Sequence, residues 1–218
     1  MKCNKTITKN FLALIIDIFK DSTIPSEEII QSIMNILELK DPYTRGHSER
    51  VAKYALLLAQ ETSKFDEVNL NKFYFSCLLH DIGKLGIPNE ILNKASYLEN
   101  DEYNIIKTHP TLGIKLIENY SLIEGYESVI RSHHEKWDGS GYPDGLKHNN
   151  IPLCARIISF ADAFDAMTSA RVYRSVLSPK EAYKQIIEGA GTQFDPQLVE
   201  DFKLVYPLWV ENLEASLN

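Results

Sequence analysis

Apolar residues recur at helical spacing along most of this 218-residue chain, and this periodicity restricts its fold more than any other feature. One stretch opens at Ser26, a favourable N-cap residue, and carries isoleucines and leucines three and four positions apart until Asp41-Pro42 ends it. The next stretch places five side chains on one stripe, namely His47, Val51, Tyr54, Ala55 and Leu58. Strand signals are nearly absent, so the sequence predicts an all-α, single-domain helical bundle.

The same spacing, together with capping residues, predicts the remaining helices. They cover about 70–80, 99–108, 110–119, 128–134 and 153–170, and two more begin at Ser178-Pro179 and Asp195-Pro196. Residues 136–150 carry glycines at 139, 141 and 145 and a proline at 143, which predicts a loop. A loop of this length is usually functional or disordered.

No repeat, low-complexity tract or change of composition divides the chain. We therefore expect one domain over residues 26–218, preceded by a leader over residues 1–25 that could itself be helical. The most apolar run, 11–19, contains Asp17 and is far shorter than the ~20 residues that span a bilayer. No cleavage signal follows it, so the sequence predicts neither a membrane span nor a signal peptide.

Charge and cysteine content narrow the class of partner and the compartment. The formal net charge of −7 argues against a protein that wraps a nucleic-acid polymer. An anionic small substrate is still compatible with it, because a bound metal supplies local positive charge. Cys3, Cys77 and Cys154 lie far apart without a CxxC pair, which indicates a reducing, cytoplasmic setting.

Histidines are the main candidates for functional residues. A single histidine on an apolar helix face is usually a hydrogen-bonded core residue, but several on different helices need partners, and a metal is the simplest shared one. Two aspartates strengthen this interpretation, since Asp81 adjoins His80 and Asp162 interrupts an apolar helix. His148 lies in the polar loop and is expected to be solvated. The candidate ligands are His47, His80, Asp81, His109, His133, His134 and Asp162.

This donor set is too large for one zinc ion, which prefers four ligands. It suits two metal ions that share one bridging carboxylate. Mixed imidazole and carboxylate ligands favour iron or manganese over calcium or magnesium. The absence of cysteine among the candidate ligands argues against structural zinc.

Longer motifs around these residues resemble one known family. His80-Asp81 with the downstream Asp162 resembles the HD phosphohydrolase superfamily, and the segment 133–146, with its central Gly-Tyr-Pro, resembles the HD-GYP subfamily. The resemblance runs over about 29–202. It also includes His80–Pro88, His109-Pro110, Ile151-Pro152 and the segment from Asp162 to Arg174. It implies a metal-dependent phosphodiesterase that cleaves cyclic di-GMP to linear pGpG and/or GMP by attack of a metal-bridging hydroxide.

The resemblance also implies a distribution of ligands between two metals. One metal would be held by His47, His80 and Asp162, and the other by His109, His133 and His134, with Asp81 bridging. Some members of the family add a third metal through a glutamate four residues before the first histidine. Tyr43 occupies that position here, which predicts a two-metal centre.

Contacts with the substrate follow from the same resemblance. Lys84 is expected to reach the scissile phosphate and to act with Asp81 in catalysis. Arg171 and Arg174 are three residues apart, so on a helix they share a face that suits the second phosphate and a guanine. Asp165 is expected to orient Lys84 or an arginine. Tyr142 is expected either to stack on a guanine or to stiffen the loop.

Three alternatives stay open at the level of sequence. The chain could be a non-catalytic adaptor that binds partner proteins, a hydrolase of cyclic GMP-AMP, or an HD hydrolase of simpler nucleotides. A complete ligand set argues against the first, and the Gly-Tyr-Pro loop with its extra histidines argues against the last. Beyond the substrate, the partners to expect are a second copy of the chain or a regulatory protein.

Overall fold

The computed structural model describes residues 26–42, 46–117, 123–169 and 176–217, and this part of the chain is helical. No strand occurs within these ranges, where the sole β-type contact noted is an isolated bridge between Ala190 and Phe194. The prediction of an all-α fold is confirmed. The leader 1–25, Tyr43, Arg171 and Arg174 lie outside the described residues.

Ten α-helices follow one another along the described ranges, together with 3₁₀ turns at Ile82–Gly86 and His148–Asn150. The helices are α1 (Ser26–Lys40), α2 (His47–Glu61), α3 (Glu67–Leu78), α4 (Asn89–Leu92), α5 (Asn100–Ile106), α6 (His109–Ile117), α7 (Glu127–Ser132), α8 (Leu153–Thr168), α9 (Pro179–Glu188) and α10 (Pro196–Leu217).

Helix α2 lies at the centre of the bundle and packs against α3, α8 and α10. Its apolar stripe is buried, as the sequence predicts. Tyr54 on α2, Phe164 on α8 and Trp209 on α10 form an aromatic cluster, with ring centroids 5.0 to 5.4 Å apart. Because these rings lock α2 against α8, residues along the two helices are held in fixed register.

The capping signals identify helix starts well. Ser178 and Glu181 form a reciprocal capping box at the start of α9, with Pro179 in its first turn. Asp195 accepts a hydrogen bond from the backbone N–H of Gln197 at 2.9 Å, next to the start of α10. Both starts agree with the sequence prediction.

Helix α3 ends earlier than predicted, and a 3₁₀ turn follows it. The predicted helix reaches residue 80, whereas α3 ends at Leu78 and the chain tightens into Ile82–Gly86. A Cβ at Gly83 would lie 1.8 Å from the carbonyl oxygen of His109, so only glycine allows this turn to pack against α6. The close approach brings Asp81 and His109 together.

Candidate metal centre

Five different elements or junctions supply the side chains of the candidate site. His47 is the first residue of α2, and His80 and Asp81 lie between α3 and the 3₁₀ turn. His109 opens α6, His133 and His134 follow α7, and Asp162 lies within α8. Four of these residues, His80, Asp81, His133 and His134, follow the C-terminal ends of helices, where free backbone carbonyls are available to orient a side chain.

Two groups of potential ligands result. Within each group one ligand atom per residue lies within 4.8 Å of the others. The first group contains His47, His80 and Asp162, and the second contains Asp81, His109, His133 and His134. The structure therefore brings together all seven predicted ligands, in the two sets that the family resemblance implies.

Asp81 lies between the two groups. Its Oδ1 is 3.3 Å from Nε2 of His109 and 3.9 Å from Nε2 of His133, while its Oδ2 is 3.4 Å from Nε2 of His80. Each carboxylate oxygen thus faces a different group, which is the arrangement that a bridging ligand requires.

The candidate ligand atoms are arranged to coordinate a cation rather than to hydrogen-bond to one another. Nε2 of His80 is buried and has no hydrogen-bond partner among the described residues. Nε2 of His109 faces Nε2 of His133 at 3.2 Å, and Nδ1 of each ring faces a backbone carbonyl oxygen, so the lone pairs of the two imidazoles converge. Buried polar atoms are normally paired. An unpaired imidazole nitrogen among converging lone pairs and carboxylates is accounted for by a bound metal ion.

Burial and hydrogen bonds shift the pKa values of the histidines in the cluster in opposite directions. Burial alone would lower the pKa of His47, but hydrogen bonds with Asp162 and Asp165 outweigh it and raise this pKa to about 9. Burial lowers the pKa of His134 to about 4 and that of His133 well below its usual range. Burial would raise the pKa of Asp162, but the hydrogen bond with His47 overrides it, so this pKa is lowered and the carboxylate stays ionised.

Lys84 lies beside the proposed bridge. Its Nζ is 2.7 Å from Oδ2 of Asp81 and 3.3 Å from Oδ2 of Asp41. Burial would lower the pKa of Lys84, yet these two carboxylates outweigh it and raise the pKa, so the ammonium stays charged. A fixed positive charge next to the ligand cluster is suited to a phosphate oxygen.

The Gly-Tyr-Pro loop closes over the second group. The Tyr142 ring lies 4.8 Å from the His134 ring, and the Tyr142 backbone N–H donates to the carbonyl oxygen of His134 at 3.2 Å. A Cβ at Gly141 would lie 2.4 Å from the backbone nitrogen of Lys136, so the loop can fold this tightly only with glycine there. The loop is thus built to hold Tyr142 over the histidines.

Glu135 anchors this loop from below. Its buried carboxylate accepts hydrogen bonds from the backbone N–H groups of Asp144 at 2.7 Å and Leu146 at 3.0 Å. His148, predicted to be solvated, is exposed and stacks on Trp137 with ring centroids 5.2 Å apart.

Asp165 bonds to an arginine, one of the two kinds of partner expected for it, and to a histidine that the sequence analysis did not name. It is fully buried, and its carboxylate bonds to Nδ1 of His47 at 2.7 Å and to Nε of Arg50 at 2.6 Å. The described contacts of Lys84 are with Asp41 and Asp81, so the expected orientation of Lys84 by Asp165 is not seen. Asp165 thus contacts the candidate ligand His47 at Nδ1, because the fold packs α8 against α2.

The site opens into a cleft of about 420 Å³. Besides the predicted residues, its lining includes Tyr103, Ser159, Met167, Gln185 and Gln193, none of which the sequence analysis selected. Arg50 was missed although it follows His47 by about one helical turn, a spacing that could have identified it. No sequence signal identifies Tyr103 or Gln193, because they reach the cleft only through the packing of α5 and of the segment before α10.

Among the described helices, none combines the length and the apolar character that crossing a bilayer demands.

Comparison with known proteins places this site in a family. The chain is 37% identical over 177 residues to a cyclic di-GMP phosphodiesterase of Thermotoga maritima, a match that covers 80% of this chain and 48% of that protein. It is 38% identical over 173 residues to 3′3′-cGAMP-specific phosphodiesterase 3 of Vibrio cholerae, covering 78% and 37% of the two chains. The chain thus spans less than half the length of these relatives.

The fold has a solved counterpart. A crystal structure of a cyclic GMP-AMP specific phosphodiesterase from Vibrio cholerae superimposes with a TM-score of 0.63 at 23% identity, over 85% of this chain and 50% of that one. The sequence profile of the HD domain family matches residues 31–198, a range that contains all seven candidate ligands. This protein belongs to the HD domain family.

Proposed function

We propose that this chain hydrolyses a phosphodiester bond of cyclic di-GMP and releases linear pGpG and/or GMP. The observation that carries the proposal is the convergence of two ligand groups on Asp81, with the Lys84 ammonium 2.7 Å from that carboxylate, beside an open cleft. Relatives named for cyclic di-GMP phosphodiesterase activity, at 36% to 37% identity, support the choice of substrate.

The proposed cofactor is a pair of divalent metal ions, iron or manganese. His47, His80 and Asp162 would hold one, His109, His133 and His134 would hold the other, and Asp81 would bridge them. Bound ions would neutralise phosphate oxygens and lower the pKa of the water that attacks phosphorus. Imidazole and carboxylate ligands without cysteine support iron or manganese.

The side chains around the centre divide the remaining work. Lys84 carries a charge that would stabilise negative charge developing at the scissile phosphate. Tyr142 presents an aromatic face in the cleft, which suits stacking against a guanine. Arg171 and Arg174 remain proposed contacts for the second phosphate. Cys77 and Cys154 are free and buried, which supports the proposed cytoplasmic setting.

Cyclic GMP-AMP is the second candidate substrate. The identity to relatives named for cGAMP-specific activity reaches 38%, as high as the identity to relatives named for cyclic di-GMP. The two substrates differ in one base and share the same phosphodiester chemistry. The choice between them therefore depends on residues that line the cleft away from the metal ligands.

One experiment separates these possibilities. The full chain, loaded with Mn²⁺ or Fe²⁺, is incubated with cyclic di-GMP, 3′3′-cyclic GMP-AMP and cyclic di-AMP, and the products are identified by chromatography and mass spectrometry. Metal content is measured on the same samples. We expect two metals per chain and fastest turnover of cyclic di-GMP. Faster turnover of cyclic GMP-AMP would favour the second candidate.

Two variants test the ligand assignment. Asp81→Ala is expected to lose both metals and all turnover, whereas His47→Ala should weaken the binding of chiefly one metal. Equal metal loss in the two variants would contradict the bridging role of Asp81. A metal-loaded wild-type chain that cleaves none of the three dinucleotides would contradict the proposed activity and favour an adaptor.

A further inference from the structure

Three histidines of the cluster are oriented by backbone carbonyls. Nδ1 of His80 lies 2.8 Å from the carbonyl oxygen of Cys77, and Nδ1 of His109 and of His133 each lies 2.9 Å from the carbonyl oxygen three residues earlier. These carbonyls belong to the last turns of α3, α5 and α7, where carbonyl groups lack the usual intrahelical partner. A carbonyl only accepts, so the proton sits on Nδ1 and each Nε2 lone pair faces the cluster.

His47 is oriented by a side chain. It is the first residue of α2. Its Nδ1 instead lies 2.7 Å from Oδ2 of Asp165, a carboxylate contributed by α8. An ionised carboxylate is also an acceptor only, so it selects the same tautomer from a side chain rather than from the backbone.

Arg50 holds that carboxylate in place. Its Nε lies 2.6 Å from Oδ1 of Asp165 and its Nη2 lies 3.1 Å from Oδ2, and Nη2 also contacts Oγ of Ser169 at 3.1 Å. Asp165 is 0% exposed, and a buried carboxylate stays ionised only when it is paired. The guanidinium fork therefore fixes both the charge and the rotation of Asp165.

We infer that Asp165, held by Arg50, is a positioning residue that sets the tautomer of His47 and so makes the His47–His80–Asp162 group able to bind its metal. This inference rests on the two-metal centre of the proposed function. It implies an asymmetry, because His109 and His133 of the other group take their tautomers from the backbone. A side-chain substitution can therefore disable one group and spare the other.

Asp165→Asn tests this directly. Arg50 Nε makes the shorter of the two guanidinium contacts, 2.6 Å to Oδ1 against 3.1 Å from Nη2 to Oδ2, so in this variant the amide oxygen takes the Oδ1 position and the amide NH₂ turns towards His47. That NH₂ donates to Nδ1 and leaves the proton on Nε2, the atom that faces the cluster. We expect Mn²⁺ titration of the metal-free protein to show one site weakened roughly 10- to 100-fold and the other unchanged.

A second readout follows the proton itself. In ¹⁵N spectra of the metal-free protein recorded above the His47 pKa of about 9, where the ring is neutral, the proton is expected on Nδ1 in the wild type and on Nε2 in Asp165→Asn. Arg50→Lys, at a half-buried position, is the second variant if Asp165→Asn does not fold. It replaces a fork by one point charge and should weaken the same metal site by a smaller factor.

Asp195→Asn is the matched control. Asp195 is 2% exposed, pairs with Arg156 at 2.5 Å and belongs to neither ligand group, so it undergoes the same chemical change in a similar setting. It should keep wild-type affinity at both sites. Wild-type affinities in a folded Asp165→Asn or Arg50→Lys protein would overturn the inference. Failure of the loaded wild type to cleave dinucleotides would contradict the proposed function alone, because neither readout uses turnover.

Discussion

At the scale of single residues, the site places the Lys84 ammonium beside the carboxylate of the candidate ligand Asp81. Lys84 is held between two carboxylates, Asp41 and Asp81, at the rim of the ligand cluster. The charge on its ammonium is therefore present before any substrate arrives, and its position is fixed by the fold. Such a group stabilises a transition state without reorganising.

Lys84→Met is expected to lower kcat with little change in KM, because charge develops at the scissile phosphate only in the transition state. Loss of one charge-assisted hydrogen bond costs about 1.5–3 kcal/mol, or roughly ten- to a hundredfold in rate. Arg171→Ala and Arg174→Ala should instead raise KM by a similar factor. Steady-state kinetics with cyclic di-GMP measures both effects.

The control for Lys84 is Lys94→Met. Lys94 also pairs with a carboxylate, that of Glu102, but it does not line the cleft. Its kinetics should match the wild type. If the arginine variants keep the wild-type KM while Lys84→Met loses substrate binding and keeps its kcat, these roles are assigned the wrong way round.

At the scale of elements, the junction between α3 and α6 decides whether the second ligand group forms. The 3₁₀ turn Ile82–Gly86 packs directly against α6, and Gly83 leaves no room for a side chain there. Asp81 precedes this turn and His109 opens α6. The backbone contact at Gly83 therefore sets the distance between these two ligands.

Gly83→Ala is expected to separate the turn from α6, because its Cβ would meet backbone rather than a flexible side chain. Overpacking of this kind costs about 1–3 kcal/mol or more. Urea unfolding measures the loss of stability, and Mn²⁺ titration should show weaker binding as well.

Gly86→Ala is the matched control in the same turn, since its Cβ would contact the Leu112 side chain and no backbone, with the nearest atom, Cδ1, at 3.0 Å. It should be destabilised less and should keep its metal affinity. Equal stability of the two variants would argue against the close approach at Gly83.

At the scale of the whole molecule, the fold gathers buried imidazoles, and at each of them a proton and a metal ion would compete for the same nitrogen. Burial lowers the pKa of His109, His133 and His134, with that of His134 near 4, against an ordinary value of 6.5. The pKa of His47 is shifted the other way, to about 9. The metal-free protein should therefore respond to pH on both sides of neutrality.

The metal-free protein is expected to be most stable near pH 6.5. Between about pH 6.5 and 4 the three histidines with lowered pKa bind protons in the unfolded chain but stay neutral in the folded protein. The free energy of unfolding therefore falls as pH falls. The stabilising contribution of His47 is complete below about pH 6.5 and is lost as pH rises through 9. Each group changes the free energy of unfolding by up to about 1.4 kcal/mol per pH unit.

Urea unfolding of chelator-treated protein at pH 5, 6.5 and 9 measures this profile. The same series with Mn²⁺ is the control, because bound metal should stabilise the folded state most strongly where the ligands are already deprotonated. A flat profile in the metal-free protein would contradict the proposed protonation of the cluster.

Local signals along the chain were enough to define the helical class, most helix starts and the types of residue in the site. Apolar spacing fixes a helix face, Ser178 and Pro179 fix a helix start, and histidines with nearby aspartates indicate a metal. The residues that make up each signal lie within a few positions of one another, so no tertiary contact is needed to interpret them. They predicted the seven candidate ligands that the structure brings together.

Which distant groups act on one another depends on how the helices pack. Asp165 lies 118 positions from His47 and 115 from Arg50, yet it bonds to both, whereas sequence analysis assigned it to Lys84 or to an arginine without naming one. Likewise, Asp41 pairs with Lys84 across 43 positions. Helical periodicity defines the faces of α2 and α8 but not their register, which the packing of a shared aromatic cluster sets.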